Sequence, residues 1–169
     1  MLANQPVYDI NQAIAYFQKE WLLAFKFFVA FSRFEFALKQ CNFATTKRKK
    51  RDDVWANWEA FVDSIAARFD ATALPQLEEA VTYLCGAPPK HQILRGRSLV
   101  WDDTLKAATE SDLHYLLRLV KAIRNNLFHG GKYPFDRKRD RKLLHCGLTI
   151  LEAWLELEPN VKHMFYEVP

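Results

Sequence analysis

Asp112-Leu113-His114-Tyr115-Leu116-Leu117-Arg118-Leu119-Val120-Lys121-Ala122-Ile123-Arg124-Asn125-Asn126-Leu127-Phe128-His129 decides how the rest of the chain is read. Its apolar residues Leu113, Leu116, Leu117, Val120, Ile123 and Leu127 recur at helical spacing, Ser111 or Asp112 can cap the start, and Gly130–Gly131 ends the run. At roughly 100° per residue, Arg124 falls inside the apolar stripe, near the rows of Leu117 and Val120. A guanidinium there needs a partner or a chemical task, because it cannot deprotonate and an uncompensated buried charge costs several kcal/mol. Asn125 and His129 share the adjacent helix row, so an arginine, an amide and an imidazole gather at one helix end.

This set suits phosphate chemistry on RNA. Arginine can hold a phosphodiester and stabilise the charge that develops on it. Histidine can take the proton of a ribose 2′-hydroxyl or protonate the leaving oxygen, and asparagine can orient either group. Near neutral pH an imidazole populates both protonation states, and a helix C-terminus favours the charged one. The plainer reading has Arg124 paired with a core carboxylate and His129 contacting helix-end carbonyls; spacing alone favours it.

Arg124, the polar Asn125 and, after three further residues, His129 resemble the signature of the HEPN superfamily (higher eukaryotes and prokaryotes nucleotide-binding). The stretch Ser32-Arg33-Phe34-Glu35-Phe36-Ala37-Leu38-Lys39 is similar to the first long helix of some members, where an acid faces the active-site arginine; Glu35 would be that acid. As identities the resemblance covers these two stretches, and as a pattern of elements most of the chain. It implies two copies facing each other with one composite site. It further implies metal-independent cleavage by 2′-hydroxyl attack, leaving a 2′,3′-cyclic phosphate and a 5′-hydroxyl. Arg124 would stabilise the phosphorane, His129 would act as acid or base, Asn125 would position one of them, and Glu35 would hold Arg124. Such domains serve in toxin–antitoxin and phage-defence systems, so an antitoxin or other regulatory protein is an expected partner by analogy. Members silenced by nucleotide transfer carry a tyrosine two residues after the histidine. Gly131 stands there, and the nearest tyrosine is Tyr133, so the resemblance does not extend to that control.

With 169 residues the chain is expected to form a single domain, and its half-apolar composition, rich in Phe, Tyr and Trp and poor in Gly, fits a helix-rich globule. A net charge of +4 permits an anionic partner without demanding one. Cys41, Cys85 and Cys146 lie far apart with no C-x-x-C pair, pointing to free thiols in a reducing compartment. No basic-then-apolar leader opens the sequence, and its most apolar stretch, Trp21–Phe36, is interrupted by Lys26, Arg33 and Glu35. A cytoplasmic location away from membranes is expected.

Asp9 and Gln12 resemble a capping box opening a helix through Ile14, Phe17, Trp21, Ala24, Phe25 and Phe28 to about Ala44. Phe25, Phe27, Phe28, Phe31, Phe34 and Phe36 occupy more than one face of it, so either its own domain or a partner chain can cover the second face. Lys47-Arg48-Lys49-Lys50-Arg51 falls at an expected helix–helix turn, either a solvated loop or a phosphate-backbone contact. Asp52 or Asp53 then caps a helix bearing Val54, Trp55, Trp58, Phe61, Val62, Ile65 and Phe69, and a shorter helix runs from about Leu74 to Leu84 with Pro75 in its first turn. Residues 90–109 carry no clear pattern and read as a loop or short helix.

After Lys132 and Pro134, a last helix covers roughly Arg137 to Leu157 and stops before Pro159. It opens with Arg137, Lys138, Arg139, Arg141 and Lys142, cations that oppose the helix dipole at that end. This cluster and Lys132, close in sequence to Arg124 and His129, are the candidate RNA-binding patch, with a solvated face as the alternative. No phosphate-binding glycine loop and no His or Cys spacing of a metal site occurs, so neither cofactor nor metal is expected. Strand signals are nearly absent, and the expected fold is all-α, an up-and-down bundle of four to five helices. The function expected is a metal-independent endoribonuclease. The alternatives are a non-catalytic HEPN-like module that binds nucleotide, RNA or a protein, and a purely structural bundle in which Arg124 and Glu35 form a core ion pair.

Overall fold

The structure, a computed structural model, describes residues 21–48, 51–128 and 137–167. The expected capping box at Asp9 and Gln12, together with Lys49, Lys50, His129 and Lys132, lies outside the described residues. Among the described residues six helices dominate: α1 (Trp21–Gln40), α2 (Trp58–Ile65), α3 (Pro75–Gly86), α4 (Asp112–Phe128), α5 (Arg137–Leu157) and α6 (Pro159–Tyr166). Two antiparallel hairpins interrupt them, β1 (Ala44–Arg48) with β2 (Arg51–Ala56) and β3 (His91–Arg95) with β4 (Ser98–Asp102). The fold is therefore helix-dominated but not an all-α bundle, which corrects the sequence expectation in both places.

The first hairpin begins where α1 is forced to stop. Asn42 takes the left-handed conformation, with φ of 67°, and the Phe43 N–H donates back to the Leu38 carbonyl at 3.0 Å. That bond belongs to a Schellman motif, which satisfies a terminal carbonyl and turns the chain out of the helix axis. The helix consequently ends at Gln40 instead of near Ala44. Thr45 then pairs with Trp55 and Thr46 with Val54, β-branched and aromatic residues suited to a pleated surface. Val54 and Trp55 lie four and three residues before Trp58, so their spacing mimics the helix that follows them. That helix starts at Trp58, with Asn57 accepting from the Ala60 N–H at 3.2 Å in place of the expected Asp52 or Asp53 cap. Lys47, Arg48 and Arg51 thus lie on the two strands of a hairpin and not at a helix–helix connection.

The second hairpin occupies the stretch that read as loop or short helix. Ile93 pairs with Val100 and Leu94 with Leu99 across a turn containing Gly96, whose φ of +65° suits a residue without a Cβ. Its base is held by polar contacts. Thr104 Oγ1 donates to the Pro89 carbonyl at 2.7 Å, the Tyr115 hydroxyl donates to the Thr104 carbonyl at 2.9 Å, and Asn126 Nδ2 donates to the Lys90 carbonyl at 2.6 Å.

The helices carry the core. Phe27, Phe31, Phe34 and Leu38 of α1 meet Trp58, Phe61 and Ile65 of α2, Leu116, Leu119 and Val120 of α4, and Leu144, Ile150 and Trp154 of α5. Phe34 stacks 5.0 Å from Trp58 and meets Phe61 edge-on at 5.2 Å. Each such buried side chain stabilises the fold by about 1.5–3 kcal/mol. Gly147 permits a close approach of α5 to α1, since a Cβ there would lie 2.6 Å from Phe27 Cε2. Ser111 caps α4 as expected, its Oγ accepting from the His114 N–H at 3.2 Å. Arg33 ties α6 to α1 by donating to the carbonyls of Met164, Phe165 and Glu167 at 2.6–3.1 Å. All three cysteines are free thiols, and no helix among the described residues is long and apolar enough to cross a membrane.

Candidate functional site

Between α1, α2, α4 and β2 the surface opens into a cleft of about 430 Å³. Four elements line it: Phe31, Glu35 and Lys39 from α1; Asp53 to Ala56 from β2; Trp58 and Glu59 from α2; Lys121, Arg124 and Asn125 from α4. The structure thus brings Arg124, Asn125 and Glu35 together, although Glu35 and Arg124 are far apart in sequence. His129 follows the last described residue of α4, and its position is not part of this geometry.

Arg124 lies at the edge of the apolar stripe and not inside it, contrary to what the spacing predicts. It is half-buried, with its guanidinium carbon 5.8 Å from the Phe31 ring centre and Nη1 donating to Asn125 Oδ1 at 3.1 Å. Asn125 is exposed to the cleft, while Asn126, the next residue, is buried and tied to Lys90 on the opposite side. The two consecutive asparagines therefore serve different ends. Sequence reading assigned no role to Asn126.

Glu35 is the point where the expected arrangement and the observed one part. Its Oε1 accepts from the Trp58 indole N–H at 3.3 Å, and among the described residues no ion pair joins it to Arg124. The carboxylate faces the same cleft as the guanidinium but is held by α2. Lys121, one turn before Arg124, donates to Glu59 at 2.9 Å. The lining thus carries three cations, Lys39, Lys121 and Arg124, and three acids, Glu35, Asp53 and Glu59.

The proposed RNA-binding cations fall into two groups. Lys47 and Arg48 end β1 and Arg51 begins β2, placing them on the hairpin that also supplies one wall of the cleft. Arg137, Lys138, Arg139 and Arg141 open α5, which packs on α3. There Arg139 is half-buried and donates to the Pro88 carbonyl at 2.8 Å, and Lys142 pairs with Glu79. Those two contacts make part of the second cluster a structural tie between α5 and the end of α3. Lys138 and Arg141 remain exposed.

Lys39, Lys121, Asp53 and Trp55 line the cleft without having been singled out as site residues. The signal that could have found Trp55 was the pair Thr45–Thr46 and Val54–Trp55 flanking a polar run, which is a hairpin pattern. Trp55 is 51% exposed and Val54 54%, so both present apolar surface at the cleft. Among the described residues no group of three or more His, Cys, Asp or Glu could hold a metal ion. What the cleft offers is a cationic hydrogen-bond donor on a rigid helix, a neighbouring amide and an aromatic rim. Comparison with family models, with curated proteins and with solved structures returned no match for this chain.

Proposed function

We propose that this protein is a metal-independent endoribonuclease of the HEPN type. The observation that carries the reading is the place of Arg124: a half-buried guanidinium opening into a cleft, beside the exposed Asn125. An arginine held on a helix over the Phe31 ring costs little reorganisation when a phosphodiester arrives, which is what stabilisation of developing charge requires. Arg124 would bind the scissile phosphate and stabilise the phosphorane. His129 would remove the 2′-hydroxyl proton or deliver one to the departing 5′-oxygen, and Asn125 would hold the guanidinium and orient the phosphate. The products are a 2′,3′-cyclic phosphate and a 5′-hydroxyl end.

In this reading Glu35 shapes the cleft through Trp58 instead of gripping Arg124 directly. A second copy would complete a composite site, and Leu22, Phe25, Val29 and Phe36 expose apolar surface along α1 against which it could pack. A toxin or defence role with a regulatory protein partner, in the cytoplasm, belongs to the same proposal by analogy.

A second reading, a non-catalytic module that binds RNA or nucleotide, is favoured by one feature: three carboxylates balance the three cations of the cleft, which suits binding of a base as well as catalysis on a phosphate. One experiment separates them. Purified protein is incubated with total RNA and tRNA in EDTA, with Arg124→Ala and His129→Ala alongside. Cleavage by the wild type alone, with cyclic phosphate at the new 3′ ends, supports the ribonuclease. A wild type as silent as both variants on every RNA removes it in favour of the binding module.

A further inference from the structure

We propose that the outer edge of β3 docks an extended acidic segment of a partner protein, which adds a strand to the second hairpin; this holds whatever the cleft does. Arg95 pairs with Ser98 across the turn Gly96–Arg97, and residues along an antiparallel strand point their N–H and C=O groups alternately toward and away from the neighbouring strand. The closing pair bonds inward and so does Ile93, which leaves the N–H and C=O groups of Gln92 and Leu94 pointing away from β4. No backbone hydrogen bond among the described residues takes them. Proteins blunt such edges with a bulge, a proline or a charge turned into the pairing. The first hairpin does so, its register shifting between Thr46 and Arg48. The second keeps an unbroken register from His91–Asp102 to Arg95–Ser98, with no proline in either strand.

The side chains decide what the added strand carries. Leu94 and Leu99 stand opposite each other across the hairpin, 68% and 70% exposed. From Lys90 to Arg97 the chain holds three strong cations, Lys90, Arg95 and Arg97, and no acid. Lys90 meets Asp103 at 3.4 Å and Arg95 meets Asp102 only at 3.9 Å, while among the described residues no carboxylate pairs with Arg97. A second copy of β3 laid antiparallel along this edge about Ile93 would set Arg95 beside His91 and Lys90 of the other chain, and like charges opposite each other oppose pairing. Nucleic acid would satisfy the arginines and leave the leucines and the edge amides unmatched. A strand with carboxylates toward Arg95 and Arg97 and an apolar residue toward Leu94 answers all three, and the pleat permits it because Leu94 and Arg95 lie on opposite faces. The edge is ordered before any partner arrives, which lowers the entropy lost on docking: the Lys90 carbonyl accepts from Asn126 Nδ2 at 2.6 Å, and His91 Nδ1 lies 3.0 Å from Thr104 Oγ1.

The test titrates the full isotope-labelled chain with an end-blocked peptide of alternating valine and glutamate, long enough to span the five residues of β3, and with its counterpart carrying lysine for glutamate. Backbone amide shifts in NMR spectra report where and how tightly each binds. The expected result is saturable shifts centred on Gln92 and Leu94 with the acidic peptide, and binding of the basic one weaker by roughly tenfold or more. Gln92→Pro removes an outward N–H without touching a bond to β4, and should weaken the acidic peptide roughly tenfold, the loss expected for one interfacial hydrogen bond. Arg95→Glu with Arg97→Glu should reverse the preference, losing the acidic peptide and gaining the basic one. Far-UV circular dichroism confirms the fold of each variant. Equal binding of the two peptides by the wild type, binding of neither, or undiminished binding of the acidic peptide by Gln92→Pro overturns the proposal. So does a concentration-dependent dimer that Gln92→Pro dissolves, which would make the occupant a second copy. Polyuridylate bound through Arg95 and Arg97 by a chain that ignores the acidic peptide overturns it too, in favour of a nucleic-acid contact.

Discussion

Replacing Glu35 by glutamine and by leucine tests what holds the acidic wall of the cleft. Trp58 is 2% exposed, and its indole N–H donates to Glu35 Oε1 at 3.3 Å. Leucine removes the acceptor and leaves a buried donor unsatisfied, a loss of about 1–3 kcal/mol. Glutamine presents an oxygen in the same place and exchanges a charged acceptor for a neutral one, at a cost of about 1 kcal/mol or less. An Arg124–Glu35 core ion pair predicts a different pattern: both substitutions would strand the guanidinium and lose about 3–5 kcal/mol. Urea unfolding followed by far-UV circular dichroism, with unchanged slopes, measures the three proteins on one scale. The expected order is wild type, then glutamine close behind, then leucine clearly lower. If glutamine falls as far as leucine, the charge and not the hydrogen bond is what matters, and the account of Glu35 given above is wrong.

Asn126→Ala should lose about 1 kcal/mol and speed amide exchange in β3, because the Asn126–Lys90 bond joins the end of α4 to the second hairpin. Unaltered exchange there would show that Thr104 and Tyr115 suffice to hold it. Gly147→Ala should lower the melting temperature, since a Cβ 2.6 Å from a fully buried Phe27 ring overpacks the α1–α5 contact by about 1–3 kcal/mol and outweighs a helix-propensity gain of about 1 kcal/mol. A rise in melting temperature would mean that the ring yields freely. Acidification should remove a stabilising contribution from Glu110, whose carboxyl is held below its ordinary value of 4.5 chiefly by the hydrogen bond from Arg118. The folded state binds that proton less readily than the unfolded one, so the contribution is complete above pH 4.5 and fades as pH drops through the lowered folded value. Glu110→Gln should flatten that part of the stability–pH curve, and an identical acid limb in both proteins would count against it.

Helical periodicity made the α-rich part of the fold legible. The stripe Leu113 to Leu127 and the Ser111 cap place α4 where it is found, and Pro75 and Pro159 mark the beginning of α3 and the limit of α5. The hairpins were hidden for two different reasons. In the first, Val54 and Trp55 fall in step with Trp58 and Phe61, so a strand and the helix after it share one apparent period. In the second, the strands are five residues each and one face stays exposed at Leu94 and Leu99, which leaves little alternation to detect. Of the site, Arg124 was legible because a charge in an apolar stripe breaks a rule and demands an explanation. Trp55 and Lys121 break none. Only the tertiary fold brings them to Arg124, and the same is true of the indole that takes the hydrogen bond expected for a guanidinium at Glu35.

The first hairpin is therefore part of the site and not an ornament on a bundle. Helices α1 and α4 alone would place Arg124 on an open helix–helix groove, with bulk water on one side and Phe31 on the other. High dielectric would then weaken any attraction to phosphate, because the interaction scales inversely with the local dielectric constant. Strand β2 supplies the missing wall, Asp53 to Ala56, and the Schellman turn at Asn42 aims it there by ending α1 within a turn of Lys39. The Asn57 cap then returns the chain to helix at Trp58, whose indole fixes Glu35 on the facing side. A short hairpin, bracketed by Asn42 and Asn57, thus adds a wall to a packing groove beside one arginine.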